Sequence, residues 1–245
     1  MLKALFLDMD ETLCDTTGAN IAAQQLLASK LEKDFHGSID GAEFAHAFLK
    51  GIYKIWSAEE REKYQPFREQ HGEHAYRQYF TRELLQARGI NIEAEYATNL
   101  HKGFEVNRMA AFDFFPAIKA FLLDARSRFT LVVITNGPEF SQIPKLNAVQ
   151  MENYVDHILI GGQEPEEKPA RSIFEKAMRL AECSAQEAVH IGDSLNADIA
   201  GANNVGMESV WIRHGQALGA ETDPRPTHTL ESPNDIPALV QNLWW

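Results

Sequence analysis

The chain has 245 residues, 44% of them apolar and 24% charged, and carries a formal net charge of −12 at pH 7. That size and balance belong to a globular protein able to bury a substantial core, either as one large domain or as a core with a second unit. The acidic excess argues against a face for nucleic acid or any other polyanion, so a phosphate site would have to bring its own cations.

Leu2 to Leu7 form a continuous apolar run, the pattern of a short strand buried on both faces of a parallel sheet. It ends at Asp8 and Asp10, one residue apart, with Thr12 at the same spacing again. Alone, these residues are equally a strand followed by a solvated acidic turn. Two carboxylates held that close stay ionised together only if a cation lies between them or their pKa values split. Residues 16–18 read as a polar hinge. Residues 19–33 place Ala23, Leu27 and Leu31 at helical spacing, with Ile21, Leu26 and Phe35 widening the apolar face. After a break at 37–41, a second helix is predicted over 42–56 on Phe44, Phe48, Ile52 and Ile55. Charges at 58–63 and Pro66 interrupt the pattern. A third helix is expected over 73–88, stopped by Gly89, and a fourth over 92–108.

No strand pattern occurs in that block, so residues 16–108 are expected to form a helical insertion. Its aromatic and cationic residues, among them Tyr53, Trp56, Arg61, Tyr64, Arg68, Tyr76 and Arg77, could grip a sugar or base. At helical spacing they read first as the insertion's own core with snorkelling cations. His71 and His74 lack the spacing of a metal pair.

From Ala111 onward the pattern alternates. A helix opens at Phe114-Phe115-Pro116 and runs to about 127, and a strand over 129–134 ends at Thr135. A helix over 140–149 and a strand over 155–160 follow. Lys168-Pro169 precedes a helix over 170–180, and a strand over 188–191 leads to Asp193. A helix holding Asp198 and a strand over 209–212 complete the pattern. This alternation predicts an α/β fold with a doubly wound parallel sheet, residues 1–15 and 109–245, interrupted by the helical unit of 16–108. In such sheets ligands bind outside the carboxyl ends of the strands, where Asp8, Thr135 and Asp193 all fall.

Four stretches in order resemble the motifs of the haloacid dehalogenase (HAD) superfamily: Asp8-Met9-Asp10-Glu11-Thr12, Leu131 to Gly137 ending in Thr135-Asn136-Gly137, Lys168-Pro169, and Gly192-Asp193 followed by Asp198. The resemblance implies a Rossmann-like core with an inserted helical cap, and phosphoryl transfer. Asp8 would be the nucleophile, forming an aspartyl-phosphate, and Asp10 the general acid and then base. Thr135 and the Asn136 backbone would hold phosphate oxygens, and Lys168 would neutralise charge. Mg²⁺ would be bound by Asp8, Asp193 and the Asp10 carbonyl, with Thr12 and Asp198 behind them. The second aspartate points to phosphate esters, since a departing halide needs no proton. The loop at 161–169 and residues 8–20 are similar to the N-acylneuraminate-9-phosphatase-like and pyrimidine-nucleotidase-like group.

The implied activity is hydrolysis of a small phosphomonoester, a sugar phosphate or nucleoside monophosphate. A phosphomutase shares these motifs, and a non-catalytic module of the same fold would be expected to lack Asp8 or Asp10. Cys14 and Cys183 cannot form a disulfide framework, and Cys14 reads as a small buried residue. The N-terminal residues show no signal pattern, and no apolar run reaches the roughly 20 residues of a bilayer span. A cytoplasmic monomer or homodimer without nucleic-acid or membrane partners is expected.

Overall fold

The computed structural model describes residues 1–219 and 223–244. Strands β1 (Ala4–Leu7), β2 (Thr130–Thr135), β3 (His157–Ile160), β4 (Ala188–Gly192), β5 (Glu208–Ile212) and β6 (His228–Leu230) form one parallel sheet in the order β3-β2-β1-β4-β5-β6. β1 is central, with Leu5 beside Leu131 on one side and Val189 on the other. Alternation sends Ala4, Phe6, Val132 and Ile134 to one face, where they meet Ile173 and Phe174. Leu5, Leu7, Leu131 and Val133 turn to the opposite face and are equally buried. Both faces are therefore covered, which is why the strands read as unbroken apolar runs. Each fully buried Leu or Phe contributes on the order of 1.5–3 kcal/mol.

Contacts divide the chain into two units, Met1–Thr17 with Phe112–Trp245, and Gly18–Ala111. Helix α1 (Thr16–Asp34) leads into the second unit, which continues with α2 (Gly41–Ile52), α3 (Ala58–Gln86) and α4 (Ala94–Ala111). Its core joins Ala23, Leu27 and Leu31 of α1 to Phe44 and Phe48 of α2, Leu85 of α3, and Leu100 and Phe104 of α4. A second cluster places Tyr64, Tyr76 and Phe80 with Trp56, Phe67 and Tyr79. There the Trp56 indole donates to the Tyr76 hydroxyl at 3.0 Å, and Tyr76 donates to the Gly51 carbonyl at 2.8 Å. These aromatics build the unit, and their polar ends are satisfied within it.

The sheet unit adds α5 (Ile118–Ala125), α6 (Glu139–Ala148), α7 (Arg171–Leu180), α8 (Ala200–Val205) and α9 (Ile236–Trp244). No helix among the described residues is long and apolar enough to cross a membrane.

Several elements differ from the sequence reading. α1 begins at Thr16 without a hinge at 16–18, and Ile21 and Leu26 lie exposed instead of widening its apolar face. α2 stops at Ile52 because Tyr53 caps it and Lys54 turns the chain with φ 57°, which leaves Ile55 in solvent. Residues 58–71 are helical. Ser57 accepts from the Glu60 N–H and Glu60 accepts from the Ser57 N–H, and this capping box starts α3 despite its charge density. Pro66 sits inside α3, and the kink falls at Gly72, whose φ of 83° only glycine adopts freely. Residues 195–199 make a π-helical turn before α8. Strand β6 and helix α9 lie beyond the last element read from sequence; β6 is a three-residue edge strand, too short to show a period.

Candidate active site

The site begins where β1 gives out. Asp8 extends the sheet by one bond, its N–H donating to the Ile191 carbonyl at 2.9 Å. The chain then doubles back: the Leu13 and Cys14 N–H groups both donate to the Met9 carbonyl, and Glu11 takes a left-handed φ of 58°. This turn keeps Asp8 and Asp10 at the carboxyl end of the sheet. Cys14 is buried within it, and burial pushes its thiol far above the usual range, so it serves as packing. Thr12 is buried too, and its hydroxyl has no partner among the described residues.

Two segments that follow other strands reach Asp8, the loop after β3 and the turn after β4. Lys168, 3% exposed, donates to Asp8 Oδ1 at 2.6 Å and to Asp198 Oδ1 at 2.7 Å. Asp198 Oδ1 also accepts from His190 Nε2 at 2.9 Å, and Oδ2 from the Ser194 N–H at 2.9 Å. Asp198 reaches this position only because residue 192 is glycine: a Cβ there would lie 2.2 Å from the Asp198 Cγ. The loop carrying Lys168 is clamped by Asn136, whose side chain donates to the Lys168 carbonyl at 2.8 Å and accepts from its N–H at 2.9 Å. Asp8, Asp193 and Asp198 each offer a carboxylate oxygen, all within 4.8 Å of one another.

Asp10 is held from α6. Its Oδ1 accepts from the Thr16 hydroxyl at 2.5 Å and from Lys145 Nζ at 2.8 Å. Its Oδ2 accepts from Lys145 Nζ at 2.9 Å and from Gln142 Nε2 at 3.0 Å. The Gln142 amide also reaches Thr135 Oγ1 at 3.0 Å and the Asn136 carbonyl.

The charges do not balance. Burial drives the Asp8 carboxyl well above its ordinary range; Lys168 opposes this, and Asp198, Asp193 and Asp10 add to it. Asp193 rises to about 7, first through burial and then through the charge of Asp198. Burial would raise Asp198 as well, but Lys168 and His190 hold it far below its usual value. Asp10 follows the same logic: burial raises it, and Lys145, Thr16 and Gln142 more than reverse that. Lys145 therefore answers Asp10, while the single Lys168 ammonium is shared by Asp8 and Asp198, so that Asp8, Asp193 and Asp198 together carry excess negative charge. Hard oxygen donors with excess negative charge are what a divalent cation of the Mg²⁺ type requires.

The structure thus brings Asp8, Asp10, Thr135, Asn136, Lys168, Asp193 and Asp198 into one cluster, and gives Thr12 no polar contact there. Sequence reading missed Gln142, Lys145 and His190, and the clamping role of the Asn136 side chain. Gln142 and Lys145 belong to no motif: on α6 they are buried together with Leu146, while Phe140 and Ile143 are exposed, so polarity alone does not mark the buried face. His190 carried no signal beyond being one polar residue inside an apolar strand.

With this geometry in view, comparison with known proteins is informative. The haloacid dehalogenase-like hydrolase family matches residues 2–206. N-acylneuraminate-9-phosphatase of Mus musculus is 29% identical over 250 residues, 99% of this chain and 95% of that protein. Glyceraldehyde 3-phosphate phosphatase of Methanothermobacter thermautotrophicus is 30% identical over 227 residues, 91% of this chain and 90% of that protein. Among solved structures, a HAD-hydrolase of Bacillus subtilis bound to magnesium superposes with a TM-score of 0.69 at 19% identity, covering 100% of this chain and 99% of that one.

Proposed function

The chain belongs to the haloacid dehalogenase-like hydrolase family, and we propose that it is a Mg²⁺-dependent phosphomonoester hydrolase acting through an aspartyl-phosphate. The observation that carries this reading is the convergence of Asp8, Asp10, Thr135, Lys168 and Asp193 at the carboxyl end of the sheet. Its relatives, named as phosphatases of small phosphorylated metabolites, support the same class of substrate.

Lys168 takes Asp8 Oδ1, which leaves Oδ2 as the oxygen that attacks phosphorus. The new Asp8 Oδ2–phosphorus bond forms as the ester P–O bond breaks, and the departing oxygen takes its proton from Asp10, which has to enter this step protonated although Lys145, Thr16 and Gln142 favour its ionised form in the free chain. Water then attacks the same phosphorus, giving its proton back to Asp10. The Asp8–phosphorus bond breaks, and inorganic phosphate leaves with Asp8 restored. Thr135 accepts from Gln142, so its own hydroxyl proton is left for a phosphate oxygen. Lys168 offsets charge gathering on the transferred group. Asp8 and Asp193, with the Asp10 carbonyl, would hold the cation, and Asp198 would orient Lys168 behind them. When bound, Mg²⁺ supplies electrostatic stabilisation of the phosphoryl oxygens.

The test is phosphate release, with Mg²⁺, from a panel of N-acylneuraminate 9-phosphate, glyceraldehyde 3-phosphate, pyrimidine nucleoside monophosphates, hexose phosphates and a phosphopeptide. Turnover of one of the small esters is expected. Release from none of them, or a phosphopeptide as the best substrate, overturns the reading.

A further inference from the structure

The carboxylate assigned above as general acid and base stands on a loop, and a loop carboxylate has two side-chain torsions to spend. In this structure it has spent both. Three side chains make four hydrogen bonds to Asp10, and two of the three, Gln142 and Lys145, come from one face of α6, three residues apart. Neither belongs to any of the four stretches that resemble the family's motifs.

Lys145 is costly to place. It is 5% exposed, and its one carboxylate partner among the described residues is Asp10. Burying an ammonium costs several kcal/mol unless a charge and good hydrogen-bond geometry repay it. Lys145 lies on the buried face of α6 with Gln142 and Leu146, while Phe140 and Ile143 are exposed. A helix with this polarity sacrifices apolar burial to deliver an amine and an amide to one carboxylate. Gln142 adds a link, because the amide nitrogen that holds Asp10 Oδ2 also holds Thr135 Oγ1. The amide is oriented by its surroundings: its nitrogen faces three acceptors, while its oxygen is buried without a donor. One α6 side chain thus fixes the distance between the group that handles the proton and the group assigned to the phosphate.

We propose that Lys145 and Gln142 are positioning residues for the reaction, α6 acting as the brace that fixes where the Asp10 carboxylate points relative to Thr135. The inference rests on the phosphatase reading above. A brace of this kind acts on proton transfer, where misplacement by about 1 Å costs a large factor in rate; Gln142, which also holds Thr135, touches the phosphate subsite as well.

The experiment compares wild type, Lys145→Met and Gln142→Leu on two substrates: the best sugar phosphate of the panel, whose leaving oxygen needs a proton, and p-nitrophenyl phosphate, whose leaving oxygen does not. For both variants kcat on the sugar phosphate should fall by on the order of tenfold to a hundredfold, with a smaller loss on the aryl ester, and for Lys145→Met KM should stay within about twofold. Equal losses on both esters, a KM rise with kcat unchanged, or no loss would overturn the proposal. Should Lys145→Met not fold, Gln142→Leu, which keeps the ion pair, decides alone. A wild-type enzyme that hydrolyses neither ester would instead count against the phosphatase reading.

Discussion

Asp8 pays for its place in the fold. Burial and three neighbouring carboxylates raise its pKa, so its ionised form is less stable in the folded chain than in the unfolded one. Asp8→Asn should therefore leave the melting temperature unchanged or higher while hydrolysis falls by on the order of a thousandfold or more. Wild-type turnover of an aryl phosphate by this variant would rule out covalent catalysis by Asp8. Gly192 makes a second test at this scale. An alanine there must push Asp198 away, because its Cβ would fall 2.2 Å from the Asp198 Cγ. Asp198 orients Lys168, so Gly192→Ala should cost on the order of tenfold or more in kcat and about 1–3 kcal/mol of stability through overpacking. An active, equally stable variant would mean that Asp198 can move without consequence. Both residues were visible in the sequence for different reasons. Asp8 announces itself by sitting at the end of an apolar run, and Gly192 only by preceding Asp193; its steric role needs Asp198 beside it.

At the scale of the element, legibility followed periodicity. β1, β2, β4 and α7 have strong patterns and lie within a residue or two of their expected bounds, since sheet burial on both faces leaves little freedom of composition. α3 was cut short because Pro66 and a run of charges mask the Ser57 to Glu60 capping box that starts it. α6 lies within a residue of its expected bounds, and nothing in its sequence marks Gln142 and Lys145 as buried. Between α3 and α4 lies a polar arrangement that no pattern could show. His101 Nε2 contacts the Thr81 hydroxyl at 2.6 Å and the Arg77 carbonyl at 3.0 Å, with its ring tilted against Phe48. Thr81 donates its own proton to that carbonyl, so Nε2 carries a hydrogen, and Nδ1 is buried without an acceptor for a second one. Burial, and next the charge of Arg77, lowers its pKa to about 4 from an ordinary 6.5. The unfolded chain then binds the proton more readily between these values, so stability is full above about pH 6.5 and is lost as pH falls through about 4. The loss amounts to at most about 3 kcal/mol. Denaturant unfolding of wild type and His101→Leu at pH 4 and pH 7 measures this, and the variant should show the smaller difference. Equal differences would place the acid sensitivity elsewhere.

For the molecule as a whole the decisive quantity is charge. The chain carries −12 overall, and within the sheet unit Asp8, Asp193 and Asp198 share one lysine, Lys168; burial first, and then the charge of neighbouring carboxylates, raises the pKa values of Asp8 and Asp193. A ligand that binds the folded chain and not the unfolded one stabilises by RT ln(1 + [L]/Kd), about 1.4 kcal/mol at ten times Kd. For a chain of this size that corresponds to a melting shift of roughly 3–6 °C. Mg²⁺ should produce such a shift, and NaCl at matched ionic strength should not, because screening acts on exposed charges over a Debye length and reaches a buried pair poorly. Chelation should abolish phosphate release, and Mg²⁺ should restore it. Asp193→Asn separates the cation site from general screening, since two effects of opposite sign meet in it. Removing one of these carboxylates should raise the melting temperature without metal, and losing a cation ligand should shrink the further rise on adding Mg²⁺. The variant should therefore melt higher than wild type in chelator and respond less to Mg²⁺. A Mg²⁺ response equal to that of wild type would take Asp193 out of the metal site. A lower melting temperature in chelator would show that Asp193 is balanced within the fold and is not excess charge.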